Sequence, residues 1–206
     1  MTQTGPPTAP EPMEFLDFRV PAEGFSQPLL LWAACHQRGQ RVALLLERLF
    51  AHLRKHGADD TTRVTSAEVQ RYLNEAAPRH HADEDHEIFP RLRRRIDAGT
   101  VDIPDAEQTI RALDHLERDH PVLDDLWAQV RAALVHAQSA APTAAHCACA
   151  DAFVGSFINH HAVEDQLITP AATVALKPAD LAEIGEAMAR RRGTTWAALS
   201  APGARA

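Results

Sequence analysis

The chain has 206 residues, an apolar content of 45% and a formal net charge of −7. That is enough apolar material for one sizeable core, and the acidic balance argues against a nucleic-acid partner, which needs a basic face. No apolar run is long enough to cross a bilayer, and the opening MTQTGPPTAPEP carries no basic start or apolar stretch, so a cytoplasmic protein without a membrane partner is expected.

Residues 1–25 hold five of the fourteen prolines and little periodicity, and read as a loose arm. A helix is predicted from about Ser26 to Lys55, with Gly57 as its stop. A second starts at the capping box Thr65-x-x-Glu68 and reaches about Asp97, with a kink or break expected at Pro78. The third follows DIPDAE (102–107) and runs to about Gln138; Pro121 lies inside it. The fourth follows APTAA and ends at Pro170, and a fifth covers Pro178 to Arg192 before Gly193. Strand-like alternation is nearly absent. The expected fold is all-α: an antiparallel four-helix bundle with an additional C-terminal helix, spanning 26–193, followed by a tail at 194–206. The basic runs RLRRR (91–95) and RRR (190–192) suit helix C-termini. Cys35, Cys147 and Cys149 make no disulfide framework and read as small core-facing thiols.

The unusual content is histidine. There are twelve, and five fall in two related stretches, HHADEDHEIFP (80–90) and HHAVEDQLITP (160–170). Seven of the eleven positions are identical at an offset of 80 residues, and His36 and His120 are 84 apart. The chain therefore reads as one helical hairpin written twice.

His80 and Glu84, like His160 and Glu164, are spaced i, i+4 on one helix face. Mixed imidazole and carboxylate donors suit iron, manganese or zinc better than calcium. Periodicity selects the inward donors. The stripe Leu113, Leu116, Leu123, Trp127, Val130, Leu134 carries His120 inward and turns His115 to water. On the first helix Leu29, Trp32, Ala33, Ala43, Leu44 and Phe50 accompany His36. Val69, Leu73 and Ile88 accompany His80, and Phe153, Phe157 and Leu167 accompany His160, with His161 nearly as well placed. The favoured interior set is His36, His80, Glu84, His120, His160 and Glu164, while Asp83, Asp85 and His86 are expected on or near the solvated face. Four imidazoles and two carboxylates in a dry core are costly unless a metal compensates them. Two such halves imply two metal ions bridged by Glu84 and Glu164.

The doubled H…HxxxE pattern, with PLLLWAACHQR (28–38), RDHPVLDDLW (118–127) and DLAEIGEAMARRRG (180–193), resembles the hemerythrin-like HHE cation-binding family over roughly residues 27–193. The resemblance implies an up-and-down bundle around a non-haem site of two iron ions, carboxylate- and oxo- or hydroxo-bridged, with those six residues as ligands. It also implies a protein that binds or senses O2, NO or peroxide, or reports iron or redox state. The oxygen-carrying hemerythrins add a histidine one turn beyond the third-helix ligand. Asp124 stands there in this chain, so His81, Asp124 or water is left to complete the coordination. The alternative is a di-iron enzyme with peroxidase-like, oxidase or NO-reducing activity. The order His before Glu disfavours ferritin-like chemistry, and Glu117–His120 is its single Glu-x-x-His match. A metal-free helical interaction module is the third reading.

Overall fold

The computed structural model describes residues 22–99 and 101–194. Residues 1–21 of the expected arm and 195–206 of the expected tail lie outside the described residues. The described chain is helical, without a strand. A 3-10 turn, Ala22–Ser26, leads into α1 (Pro28–His56); α2 (60–97), α3 (Ala106–His136), α4 (144–175) and α5 (Pro178–Arg191) follow. None of these helices is long and apolar enough to cross a membrane.

The helix starts follow from local chemistry. Pro28 opens α1, where a missing N–H costs nothing, and Gly57 closes it in a left-handed conformation at φ 76°. Helix α2 begins earlier than the sequence predicts. The Asp59 carboxylate accepts from the Thr62 N–H at 2.8 Å while the Thr62 hydroxyl accepts from the Asp59 N–H, so the cap forms here rather than at Thr65. Thr65 lies one turn inside, its hydroxyl donating to the Thr61 carbonyl.

The prolines do not break the helices. Helix α2 contains two π turns, Tyr72–Ala76 and Glu84–Ile88, and α4 contains one, Glu164–Ile168. Each is followed two residues later by proline: Pro78, Pro90 and Pro170. The N–H just before each proline reaches back five residues, from Ala77 to Tyr72, Phe89 to Glu84 and Thr169 to Glu164. The widened turn gives room to a ring that would otherwise strike a carbonyl, and the helix continues. This is why α4 passes Pro170 to reach Ala175. Helix α3 likewise runs unbroken across Pro121.

Buried apolar side chains form two clusters. One gathers Val42–Leu53 of α1, Val69–Ala77 of α2, Leu123–Ala137 and Ala150–Phe157. The other gathers Leu31–Cys35, Ile88–Leu92, Ala112–Leu116, Ile168–Leu176, Ile184–Ala189 and the 3-10 turn's Phe25. Helices α1 and α3 run from the second cluster to the first, and α2 and α4 run back. Between the clusters, on all four helices, lies a buried polar layer at positions 36, 80–84, 120 and 160–164. Leu44 does not join the inward stripe; it is 42% exposed, and Val42, Leu46 and Leu49 fill that face instead. Cys35 is buried, and Cys147 and Cys149 are half-buried against the first cluster.

Candidate metal centre

Each half of the polar layer is built alike. Within α2 the Glu84 N–H is shared between the carbonyls of His80 and His81, and in α4 the Glu164 N–H is shared between those of His160 and His161. The glutamate stands one turn beyond two adjacent histidines, at i+4 from the first and i+3 from the second, so one carboxylate can meet both rings. The π turn then begins on that glutamate, and the proline two residues past its end belongs to the same repeated phrase.

All six expected residues converge. His36, His80, Glu84 and Glu164 bring one donor atom each within 4.8 Å of one another, and so do His81, Glu84, His120 and His160. Glu84 belongs to both groups. Its Oε1 lies 2.9 Å from His80 Nε2 and 3.9 Å from His36 Nε2, and its Oε2 lies 3.4 Å from His120 Nε2. Glu164 stands 3.4 Å from both His36 Nε2 and His160 Nε2. His81, rather than the exposed Asp124, joins the second group. His115 faces solvent as expected, 3.4 Å from Asp119.

The outer partners were not legible as such in the sequence. His36 Nδ1 meets Asp165 at 2.6 Å, and His120 Nδ1 meets Asp85 at 2.9 Å. A ring that donates outward from Nδ1 presents the Nε2 lone pair inward, and a carboxylate behind it makes that nitrogen a stronger donor. Asp85 therefore does not simply face solvent, and Asp83 is fully buried under two arginines of α5. His86 alone of that trio is exposed. The repeated Glu-Asp dipeptide was the available signal: both halves place an aspartate directly after the central glutamate, and each reaches a histidine on a different helix. Trp32 also donates its indole N–H to Glu84 Oε1 at 2.6 Å.

The buried donors are incompletely satisfied. The Nε2 atoms of His36, His80, His81, His120, His160 and His161 are buried without a hydrogen-bond partner, as are Glu84 Oε2 and both carboxylate oxygens of Glu164. Buried polar groups are nearly always paired, and an unpaired one costs about 1–3 kcal/mol. So many in one layer mark a place where something else supplies the partner.

The charges are divided unequally. Burial pushes the Glu84 carboxyl up, but the His80 charge and the neighbouring His120 and His36 imidazoles hold it well below the usual carboxylate range. Burial and the neighbouring Glu84 charge push Glu164 well above it, as expected for two carboxylates sharing one low-dielectric space. Burial works against a charged His120, yet Asp85 and Glu84 raise it to about 10, whereas burial takes His160 down to about 4. Burial also holds His81 and His161 well below the ordinary histidine value. The arrangement keeps protons among its donors that a cation would displace. Five imidazoles with two carboxylates are a donor set for iron, manganese or zinc.

Beside His81 lies a cavity of about 10 Å³, lined also by Leu73, Leu123, Asp124, Trp127 and Phe157. It offers the space of roughly one water-sized sphere.

A family model described as the hemerythrin HHE cation binding domain matches residues 28–172, from the start of α1 to within the last turns of α4. Among curated proteins, an uncharacterized protein of Haemophilus influenzae is 28% identical over 168 residues, covering 82% of this chain and 91% of that protein.

Proposed function

This chain belongs to the hemerythrin HHE cation-binding family, and from that premise we propose that it is a cytoplasmic non-haem di-iron protein that binds or senses O2, NO or peroxide, or iron and redox state. The ligands would be His36, His80, Glu84 and Glu164 for one ion, and His81, His120 and His160 with Glu84 for the other. Glu164, in reach of His36 and His160, would be the second bridge. The helices would form the antiparallel up-and-down bundle with α5 added outside, which the alternating course of α1–α4 between the two apolar clusters supports.

One observation carries the reading. A single buried carboxylate, Glu84, stands in both donor groups, amid unpartnered Nε2 atoms from all four helices. Two ions sharing a carboxylate would be served by that arrangement; one ion or none would leave half of it unsatisfied. Bound iron would supply the capacity to take up a small oxidant or diatomic ligand. The chain's own part is to hold the donors through Asp85 and Asp165, to exclude bulk water with the flanking apolar clusters, and to limit the size of what reaches His81. That last feature favours a small ligand over an organic substrate.

The test is iron stoichiometry with an optical spectrum of the oxidised protein. Two irons per chain and near-ultraviolet charge-transfer bands are expected; less than one metal per chain after iron supplementation overturns the reading. Addition of O2, peroxide or NO then separates binding from catalysis. A reversible adduct supports a binding or sensing protein, and multiple turnovers support the enzyme.

A further inference from the structure

The two halves differ in what stands beside their central glutamates. In α2, Asp83 precedes Glu84 and Glu87 follows; the corresponding residues of α4 are Val163 and Leu167, which pack against the second apolar cluster. Asp83 is 1% exposed, yet it belongs to neither donor group. Its carboxylate accepts from Arg191 through one oxygen and from Arg192 Nη2 at 2.7 Å through the other. Arg191 also donates to Glu87 Oε1 at 3.1 Å, so the residue just before Glu84's turn and a residue within it are held by the end of one helix. Helix α5 lies outside the family match; Arg190 and Arg191 stand in its last turn and Arg192 is its C-cap.

We propose that α5 is a positioning element for the metal centre, in which Arg191 and Arg192 clamp Asp83 and so fix the π turn that carries Glu84. The inference rests on the di-iron reading for its consequence, though the clamp itself is independent of metal. Helix α5 has other anchors: Arg95 to Asp180 at 2.8 Å, Arg91 to Glu183 at 3.0 Å, and Gly185, where an added Cβ would come within 2.0 Å of the Phe25 carbonyl oxygen. Docking of the helix thus does not require the Asp83 pair. A charge so fully buried, directly before the bridging glutamate, serves the turn rather than the helix. Two guanidinium groups on one carboxylate also fix its direction as a single ion pair would not. Position 163 of the second half is valine and offers no such carboxylate, so the two turns are held by different means: that of Glu84 by an ionic clamp from α5, that of Glu164 by the packing of Val163 and Leu167 and by Asp165 on His36.

The test compares the full chain with Arg191→Gln/Arg192→Gln, with Arg95→Gln and with Arg192→Lys. Amide hydrogen exchange on the metal-free protein is the first readout. In the double variant the amides of 84–88 are expected to exchange at least about tenfold faster, those of 164–168 to stay unchanged, and the far-ultraviolet helicity to be retained. Arg95→Gln should loosen the start of α5 and leave 84–88 as they were, and Arg192→Lys should restore most of the protection. After loading with ferrous iron, extraction by a chelator should become biphasic in the double variant, with one iron per chain released about 10–100-fold faster. Exchange at 84–88 that is unchanged in the double variant, or equally raised by Arg95→Gln, overturns the proposal. Should the wild-type chain take up no iron, the di-iron reading falls, while the exchange comparison still decides the clamp.

Discussion

The two halves of the centre are written in nearly the same words and are not equivalent, and the difference begins three residues past the donor histidine of α1 and of α3. Past His36 that residue is Gly39; past His120 it is Leu123. A Cβ at Gly39 would lie 2.6 Å from His161 Cε1 and 3.1 Å from Phe157 Cε1, so the missing side chain is the space His161 occupies. His161 stacks on His36 with ring centroids 4.9 Å apart and stays outside both donor groups. His81 stacks on His120 at 4.3 Å, has Leu123 beside it in the small cavity, and is a member of a donor group. Of the two equivalent histidines, the one packed on the glycine joins no donor group and the one beside the leucine joins one. The repeat thus brings together two donor groups of unlike make-up, one with three imidazoles and Glu84 and the other with two imidazoles and two carboxylates.

The largest expected effect comes from the glutamates. Glu84→Ala removes a donor common to both groups and should abolish nearly all iron binding, whereas Glu164→Ala should spare more of it, the group of His81, His120 and His160 keeping Glu84. Metal analysis of the two purified variants measures this; equal iron content would mean that Glu84 is not shared. Asp85→Asn and Asp165→Asn come next. Each leaves the ligands in place but takes away the carboxylate behind one histidine, and about a 10–100-fold loss of iron affinity is expected. Competition with a coloured chelator should find the loss confined to one iron in each variant. Because His120 keeps its proton up to about 10 with Asp85 behind it, iron uptake must expel that proton, and apparent affinity should rise with pH across the range below that value. A flat profile for the wild-type protein would mean that His120 is not displaced from its proton by metal.

Much of this was legible before any coordinates, for identifiable reasons. Helix period and repeat together select His36, His80, Glu84, His120, His160 and Glu164, because a stripe of several apolar residues on each helix averages over local irregularity. Pro78 and Pro170 misled, since a proline in a regular helix predicts a break, and only the backbone reveals the π turn ahead of each of them. Asp83 and Asp85 misled for a related reason: two successive polar neighbours of a ligand read as solvated, but each is claimed by a partner on a distant helix, Arg191 and His120 respectively. Nothing in a single stretch of sequence announces such a partner. The asymmetry between His81 and His161 was equally hidden, since their neighbours Leu123 and Gly39 lie outside either motif.

A smaller effect bears on that asymmetry directly. Gly39→Ala places a methyl group against His161, and overpacking of this kind typically costs about 1–3 kcal/mol. The loss should appear in thermal unfolding of the metal-free protein. The iron held by His36 and His80 should change its spectrum as His161 is pushed from its place, while the iron at His81 should not. A change confined to the His81 side would invert the assignment of the two halves.

His115→Ala should do least of all, and its smallness is informative. His115 stands on the same helix as His120, in a stretch equally rich in charge, and its Nε2 lies 3.4 Å from Asp119. Its side chain is 52% exposed, so the pair is screened by water, and an exposed pair is worth about 0.2–1 kcal/mol at most. Asp119 also lies 3.7 Å from His160 Nδ1, which is too far for a hydrogen bond but close enough that freeing Asp119 could draw it toward that ring. Iron content unchanged and a small shift in the unfolding midpoint are the expected result. Iron loss comparable to that of His80→Ala would show that α3 presents His115 inward, and that the face dividing ligand from solvent on this helix is drawn in the wrong place.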